Sequence, residues 1–261
     1  MTRDDAADAP LAHCGVIVTR PVTQAQELAT LIEEAGGTAL LFPTIAIEAV
    51  ADLAHVETLV DGLDAFDYAI FISPNAVQAA MPLILARRAW PQHLRFTAIG
   101  AATARELQRA GASVLAPPGR SDSEALLALA ELTDVAGKRV VIFRGQGGRE
   151  LLGDRLRERG ASVEYAECYR RVRPRADPGP LLSGWRAGRI HAATVTSSEG
   201  LSNLWEMIAD EGRTRLRRTP LFVPHERIAR AAHALAIATV VQTAQGNRGL
   251  VQGIAQWWAA R

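Results

Sequence analysis

Tyr68 to Val77 reads YAIFISPNAV, and the fold of the whole chain follows from how that stretch is built. An apolar run of strand-forming residues ends on Ser73-Pro74, an N-cap followed by a proline suited to the first helical position. The same device recurs at GVIVTRP (Gly15 to Pro21), RVVIFRGQGGRE (Arg139 to Glu150) and AATVTSSEGL (Ala192 to Leu201). Each instance sets backbone N–H groups and a helix N-terminus, often with an arginine, at the carboxyl end of a buried strand. Such turns hold anions without a metal or a reactive side chain. Several together imply a ligand with many negative groups. At this level a nucleotide, a polycarboxylate and a purely structural role all remain open.

Outward from these turns, strands and helices alternate along most of the chain. After GVIVTR comes TQAQELATLIEEAGG, with Ala25, Leu28, Leu31, Ile32 and Ala35 on one face and a stop at Gly36-Gly37. TALLFP, RFTAIG, SVLAPP, SVEYAECYRRV, TPLFVP and TVVQTA read as further strands. In SDSEALLALAEL, Ser121 and Glu124 form a capping box. Strands this uniformly apolar are covered on both faces, so the expected class is α/β with parallel, doubly wound sheets. Two stretches break the rhythm, FPTIAIEAVADL (Phe42 to Leu53) and CYRRVRPRADPGP (Cys168 to Pro180), and both read as extended crossings between domains. The expected organisation is a discontinuous domain (1–43 plus 173–261), an inserted domain (47–168), crossings at 44–46 and 169–172, and an interdomain cleft as ligand site. The pattern alone also fits a plain tandem arrangement.

Composition excludes several classes. The chain has 261 residues with 48% hydrophobic and 22% charged, ordinary for a globular protein. Its net charge of +1 argues against nucleic-acid binding. No apolar run is long enough to span a bilayer, and residues 1–14 lack a signal-peptide core and read as a frayed tail. Cys14 and Cys168 are the two cysteines, without metal-site spacing, which fits a reducing cytoplasm. The basic residues are arginines save Lys138. Arginine's planar fork matches carboxylate and phosphate, although a GC-rich genome enriches arginine too.

Each turn has a functional and a bland reading. Asn75 and Ala76 offer N–H groups beside Ser73, yet any helix start does so. In Thr19-Arg20-Pro21 a cation opposes the helix dipole, a mismatch that a bound anion would relieve. Arg144 and Arg149 flank Gly145, Gly147 and Gly148, which either admit a ligand or merely make a tight turn. That loop lacks the third glycine of a dinucleotide fingerprint, and GxxxxGK[ST] is absent, so the nucleotide reading is weak. No metal-binding histidine pair and no GxSxG elbow occurs among the six histidines and the serines. His225 at a strand end and Tyr169 in the second crossing could face a cleft, or simply pack.

Taken together, VTRP (Val18 to Pro21), FISPNAV (Phe71 to Val77), AIGAATARELQRAG (Ala98 to Gly111), IFRGQGGRELL (Ile142 to Leu152), ECYRRV (Glu167 to Val172) and TSSEGL (Thr196 to Leu201) resemble the uroporphyrinogen-III synthase family. The resemblance spans nearly the whole chain in order. It implies two α/β domains joined by paired crossings. It also implies an enzyme, a cyclising lyase that needs no cofactor and no metal. Such an enzyme takes hydroxymethylbilane, removes water, inverts ring D and closes the macrocycle to uroporphyrinogen III. Tyr169 matches the tyrosine proposed to assist hydroxyl loss, and Ser73, Gly100, Thr103, Ser197 and Ser198 fall at turns expected to meet substrate. The octacarboxylate substrate suits the repeated anion turns, and catalysis would rest on orientation. Expected partners are the substrate and a transient hand-over from hydroxymethylbilane synthase, with no nucleic acid and no membrane, for a monomer. The alternative is a non-catalytic polyanion-binding or regulatory module. The chain departs from the pattern at FVPHERIA (Phe222 to Ala229), where Pro224 and His225 replace a glycine-threonine turn, leaving His225 or Arg227 to bind a carboxylate.

Overall fold

The structure, a computed structural model, describes residues 9–119, 122–148 and 150–261. The chain divides into two compact units, one formed by residues up to Ala46 with Val172–Arg261, the other by Ile47–Arg171. The first unit contains a sheet in the order β11-β10-β9-β1-β2. Its strands are β1 (Gly15–Val18), β2 (Thr38–Leu41), β9 (Ala192–Thr194), β10 (Leu221–Val223) and β11 (Val240–Gln242). All its pairings are parallel, with Ile17 opposite Leu40 on one side and Ala193 on the other.

Alternate side chains of a strand point to opposite faces, and this sheet uses both. Val16, Val18 and Phe222 pack with Leu28 and Ile32 of α1 (Val22–Glu34) and with Leu250 and Ile254 of α11 (Gly246–Ala259). Ile17, Ala193 and Val223 pack on the other side against α7 (Gly179–Arg186), α8 (Ser198–Met207), α9 (Ala209–Arg218) and α10 (Glu226–Ala234). On α1 the buried face is Ala25, Leu28, Ala29 and Ile32, so Ala29 takes the place expected for Leu31.

The second unit holds a sheet in the order β3-β8-β7-β4-β5-β6. It comprises β3 (Ala46–Ala49), β4 (Tyr68–Phe71), β5 (Arg95–Ala98), β6 (Val114–Leu115), β7 (Arg139–Gly145) and β8 (Ser162–Val172), and β4 to β8 pair in parallel. Phe71, Phe96 and Phe143 face α2 (Ala54–Asp61), α3 (Pro74–Arg87) and α4 (Ala101–Arg109). Ile70 and Ile142 face α5 (Ser123–Leu127) and α6 (Leu151–Glu158). Phe71 and Phe143 stack at 4.6 Å, a pairing that adds about 1 kcal/mol beyond burial. Both sheets are thus doubly wound.

Three expectations need revision. The chain before β1 is not frayed throughout: Leu11 and Cys14 are fully buried, Leu11 N–H donates to Ala35 O, and Trp258 Nε1 donates to Ala12 O. An apolar leucine next to a sheet edge gains more from burial than a loose tail gains in entropy. The cap of α5 is Asp122, whose Oδ1 accepts from Ala125 N–H, one residue later than Ser121, which lies outside the described residues. A carboxylate is the stronger acceptor at a helix N-terminus. Finally, the two irregular stretches are strand in part, since Ala46–Ala49 form β3 and Cys168–Val172 end β8.

Candidate functional site

In open α/β sheets, ligands bind outside the carboxyl ends of the strands where the strand order reverses direction. In the second unit that point lies between β4 and β7, and in the first between β1 and β9. Most candidate residues lie at these two places, with Gly100 and Thr103 at the end of β5 and His225 at the end of β10.

At the end of β4, Ser73 is extended and caps α3, its Oγ accepting from Ala76 N–H at 3.0 Å. The sequence suggested that the Ala76 N–H faces outward to a ligand; instead it belongs to the cap. Asn75 beside it is buried. The same Ser73 Oγ lies 3.0 Å from the Tyr169 hydroxyl. Tyr169 comes from the far end of β8, and its ring is 2% exposed. It reaches Ser73 because Gly145, paired with it past a bulge at Cys168 in β8, has no side chain: a Cβ there would stand 2.7 Å from the ring. A hydroxyl pair is thereby fixed at the positive end of α3.

The turn after β7 is tied to β8 and to itself. Gln146 N–H donates to Tyr169 O at 2.8 Å, and Gly147 N–H to Glu167 Oε1 at 3.2 Å. Gly147 and Gly148 both take positive φ, 69° and 101°, which the turn requires. Arg144 is 3% exposed; its Nε donates to Gly145 O, its Nη2 to Gly147 O, and its guanidinium lies 4.6 Å over the Tyr165 ring. It faces Glu167 at 3.7 Å. Arg144 thus holds the glycine turn in shape from beneath, while Arg149 lies outside the described residues. At the end of β5, Gly100 and Thr103 are buried at the start of α4. Cys168 is buried below the turn, and burial pushes its thiol up to about 12, so it is no nucleophile.

In the first unit, Thr19 and Thr194 pin the ends of β1 and β9 together. Thr19 Oγ1 donates to Thr194 O at 2.7 Å, and Thr194 Oγ1 to Ile17 O at 3.0 Å. Thr19 O accepts from Thr44 N–H and Thr44 Oγ1, and Asn203 Nδ2 holds Thr44 O. Arg20 follows, half-buried. Its Nη1 donates to Asn247 Oδ1 and its Nη2 to Gln24 Oε1, while its Nε is buried without a partner among the described residues. Burial holds its pKa below the ordinary arginine value, with Glu27 opposing that shift. Across the switch point, Ser197 caps α8 by accepting from Gly200 N–H at 2.9 Å. Ser198 Oγ is buried with no partner among the described residues. His225 occupies the N-cap position of α10, is exposed, and makes no side-chain cap.

The structure thus brings Ser73, Gly145 and Tyr169 together in one unit; in the other it joins Thr19 to the end of β9, three residues before Ser197, and Arg20 to Asn247. Thr44, Asn203, Glu167 and Asn247 take part although sequence reasoning passed over them. A signal for Asn247 was present: TAQGN after the strand TVVQ is one more strand-to-helix turn. Among the described residues no group of three or more His, Cys, Asp and Glu is placed to hold a metal ion, and no helix is long and apolar enough to cross a membrane.

Comparison with known proteins matches this architecture. A solved uroporphyrinogen III synthase from Thermus thermophilus, a mutant form, superposes with a TM-score of 0.62, covering 95% of this chain and 100% of that one. At 22% identity that likeness speaks for the fold. The uroporphyrinogen-III synthase of Escherichia coli is 36% identical over 223 residues, 84% of this chain and 91% of that protein. That of Salmonella typhimurium is 36% identical over the same shares. The family model described as uroporphyrinogen-III synthase HemD matches residues 26–252. With the switch-point turns, the doubly wound sheets and this near-complete match in agreement, the chain belongs to the uroporphyrinogen-III synthase family.

Proposed function

We propose that the protein closes hydroxymethylbilane to uroporphyrinogen III, with loss of water and inversion of ring D, as a cyclising lyase of tetrapyrrole (heme, siroheme and cobalamin) synthesis. The family match over residues 26–252 carries this reading. The carboxyl-end turns of each unit hold substrate carboxylates: Arg20 with Thr19, Ser197, Ser198 and His225 in one, and Ser73, Asn75, Gly100, Thr103 and the Arg144–Gly148 turn in the other. The arginine expected to help at Arg149 belongs to the same turn by sequence. The reacting pyrrole supplies its own driving force once the hydroxyl leaves. The protein's share is then to fold the chain so that the substituted carbon of ring D attacks.

Tyr169 is the group proposed to assist hydroxyl loss. Ser73 Oγ accepts from Ala76 N–H, so its own proton is available to Tyr169 O at 3.0 Å. In that arrangement the phenol proton is left to the departing hydroxyl, which leaves as water. The α3 N-terminus lies beside the oxygen that acquires negative charge. The protein acts as a cytoplasmic monomer that receives its substrate from hydroxymethylbilane synthase; the buried free thiols of Cys14 and Cys168 fit a reducing compartment. The test is Tyr169→Phe. Turnover falls by about 10²-fold, the size of one proton-transfer contribution, while uroporphyrin binding stays. Unchanged turnover removes Tyr169 from the chemistry.

A further inference from the structure

The surface arginines of this chain are repeatedly matched with carboxylates: Arg87 with Asp61, Arg88 with Asp64, Arg186 with Glu211, Arg213 with Asp210. A guanidinium so paired has little net charge left for a ligand. Arg20 is held differently. Among the described residues its side-chain partners, Asn247 Oδ1 and Gln24 Oε1, are uncharged amide oxygens, and its buried Nε has no partner. Glu27 acts on it only electrostatically.

Asn247 is 8% exposed and lies in the first turn of α11. An aspartate of the same shape would suit that place better on stability alone. It would favour the helix N-terminus and form an ion pair with Arg20. The amide instead fixes the guanidinium without cancelling it. Ser198 Oγ, at the head of the helix that follows the adjoining strand β9, is a second buried polar atom left without a partner among the described residues.

We propose that Asn247 is a positioning residue, a neutral cradle that aims Arg20 and leaves its charge for one acidic group of the substrate. The inference rests on the polycarboxylate reading above. It is tested with Asn247→Asp, Asn247→Ser and Asn247→Ala, using uroporphyrin titration, steady-state kinetics with hydroxymethylbilane, and melting temperature. The Asp variant melts at or above the wild-type temperature yet binds uroporphyrin about tenfold more weakly. Its KM rises by a similar factor while kcat changes less than about twofold. The Ser variant, which keeps a neutral acceptor, stays within about threefold of wild type, and the Ala variant falls below it.

A folded Asp variant with unchanged affinity overturns the proposal, as does a loss confined to kcat. Should the Asp variant not fold, equal affinities of the Ser and Ala variants overturn it. Wild-type protein that binds no uroporphyrin overturns the functional reading and this inference together. Wild-type binding with an indifferent Asp variant overturns this inference alone.

Discussion

The Tyr169 ring is seated against Gly145. A methyl at position 145 would stand 2.7 Å from Cε2 and Cζ, and the ring, 2% exposed, has little space to retreat. Gly145→Ala is therefore expected to cost about 1–3 kcal/mol and to pull the hydroxyl from Ser73, lowering turnover with it. Urea unfolding read beside kcat checks this; a variant as stable and active as wild type shows that the glycine does not set the ring. Ser73 and Tyr169 are visible in the sequence as turn and crossing residues, but their 3.0 Å approach is not. It depends on a bulge in β8 and on two residues 96 positions apart. Arg144 shows the opposite failure. Its place after a strand suggests an outstretched arm, yet the carbonyls of its own turn and the face of Tyr165 draw it inward.

Among the elements, α3, α5 and α8 carry side-chain caps. Ser73, Asp122 and Ser197 each accept from the N–H three residues on. Ser197→Ala removes the cap of α8 and is expected to lower stability by about 1 kcal/mol, read as a shift of the urea midpoint at constant slope; no shift means that Gly200 N–H finds another acceptor. Strand positions were legible because a parallel sheet covered on both faces demands unbroken apolar runs. The irregular stretches were less so. FPTIAIEAVADL carries proline and charge yet contains β3 at Ala46–Ala49, because hydrogen bonding along the edge of β8 outweighs weak local preference. The division of β1 side chains, Val16 and Val18 to one layer and Ile17 to the other, follows from the two-residue period alone.

At the scale of the molecule, both units use the doubly wound plan with different strand orders. The first reads 2-1-3-4-5 and the second 3-2-1-4-5 with β3 added outside β8, so each has one switch point. Sequence shows the alternation but not strand order, because order is decided by which helix covers which face after the chain has folded. Yet the turns at those switch points, TRP with TSS and SPN with RGQGG, are the ones that stand out in the sequence. In the proposed reaction, turns of each unit hold substrate carboxylates and ring D is inverted as the macrocycle closes. The direct measurement is an isomer-resolved assay in which hydroxymethylbilane synthase feeds the folded protein. Uroporphyrinogen III is the expected dominant product, with only the type I isomer when the protein is omitted. Type I product alone, with the protein folded and present, would contradict the proposed reaction.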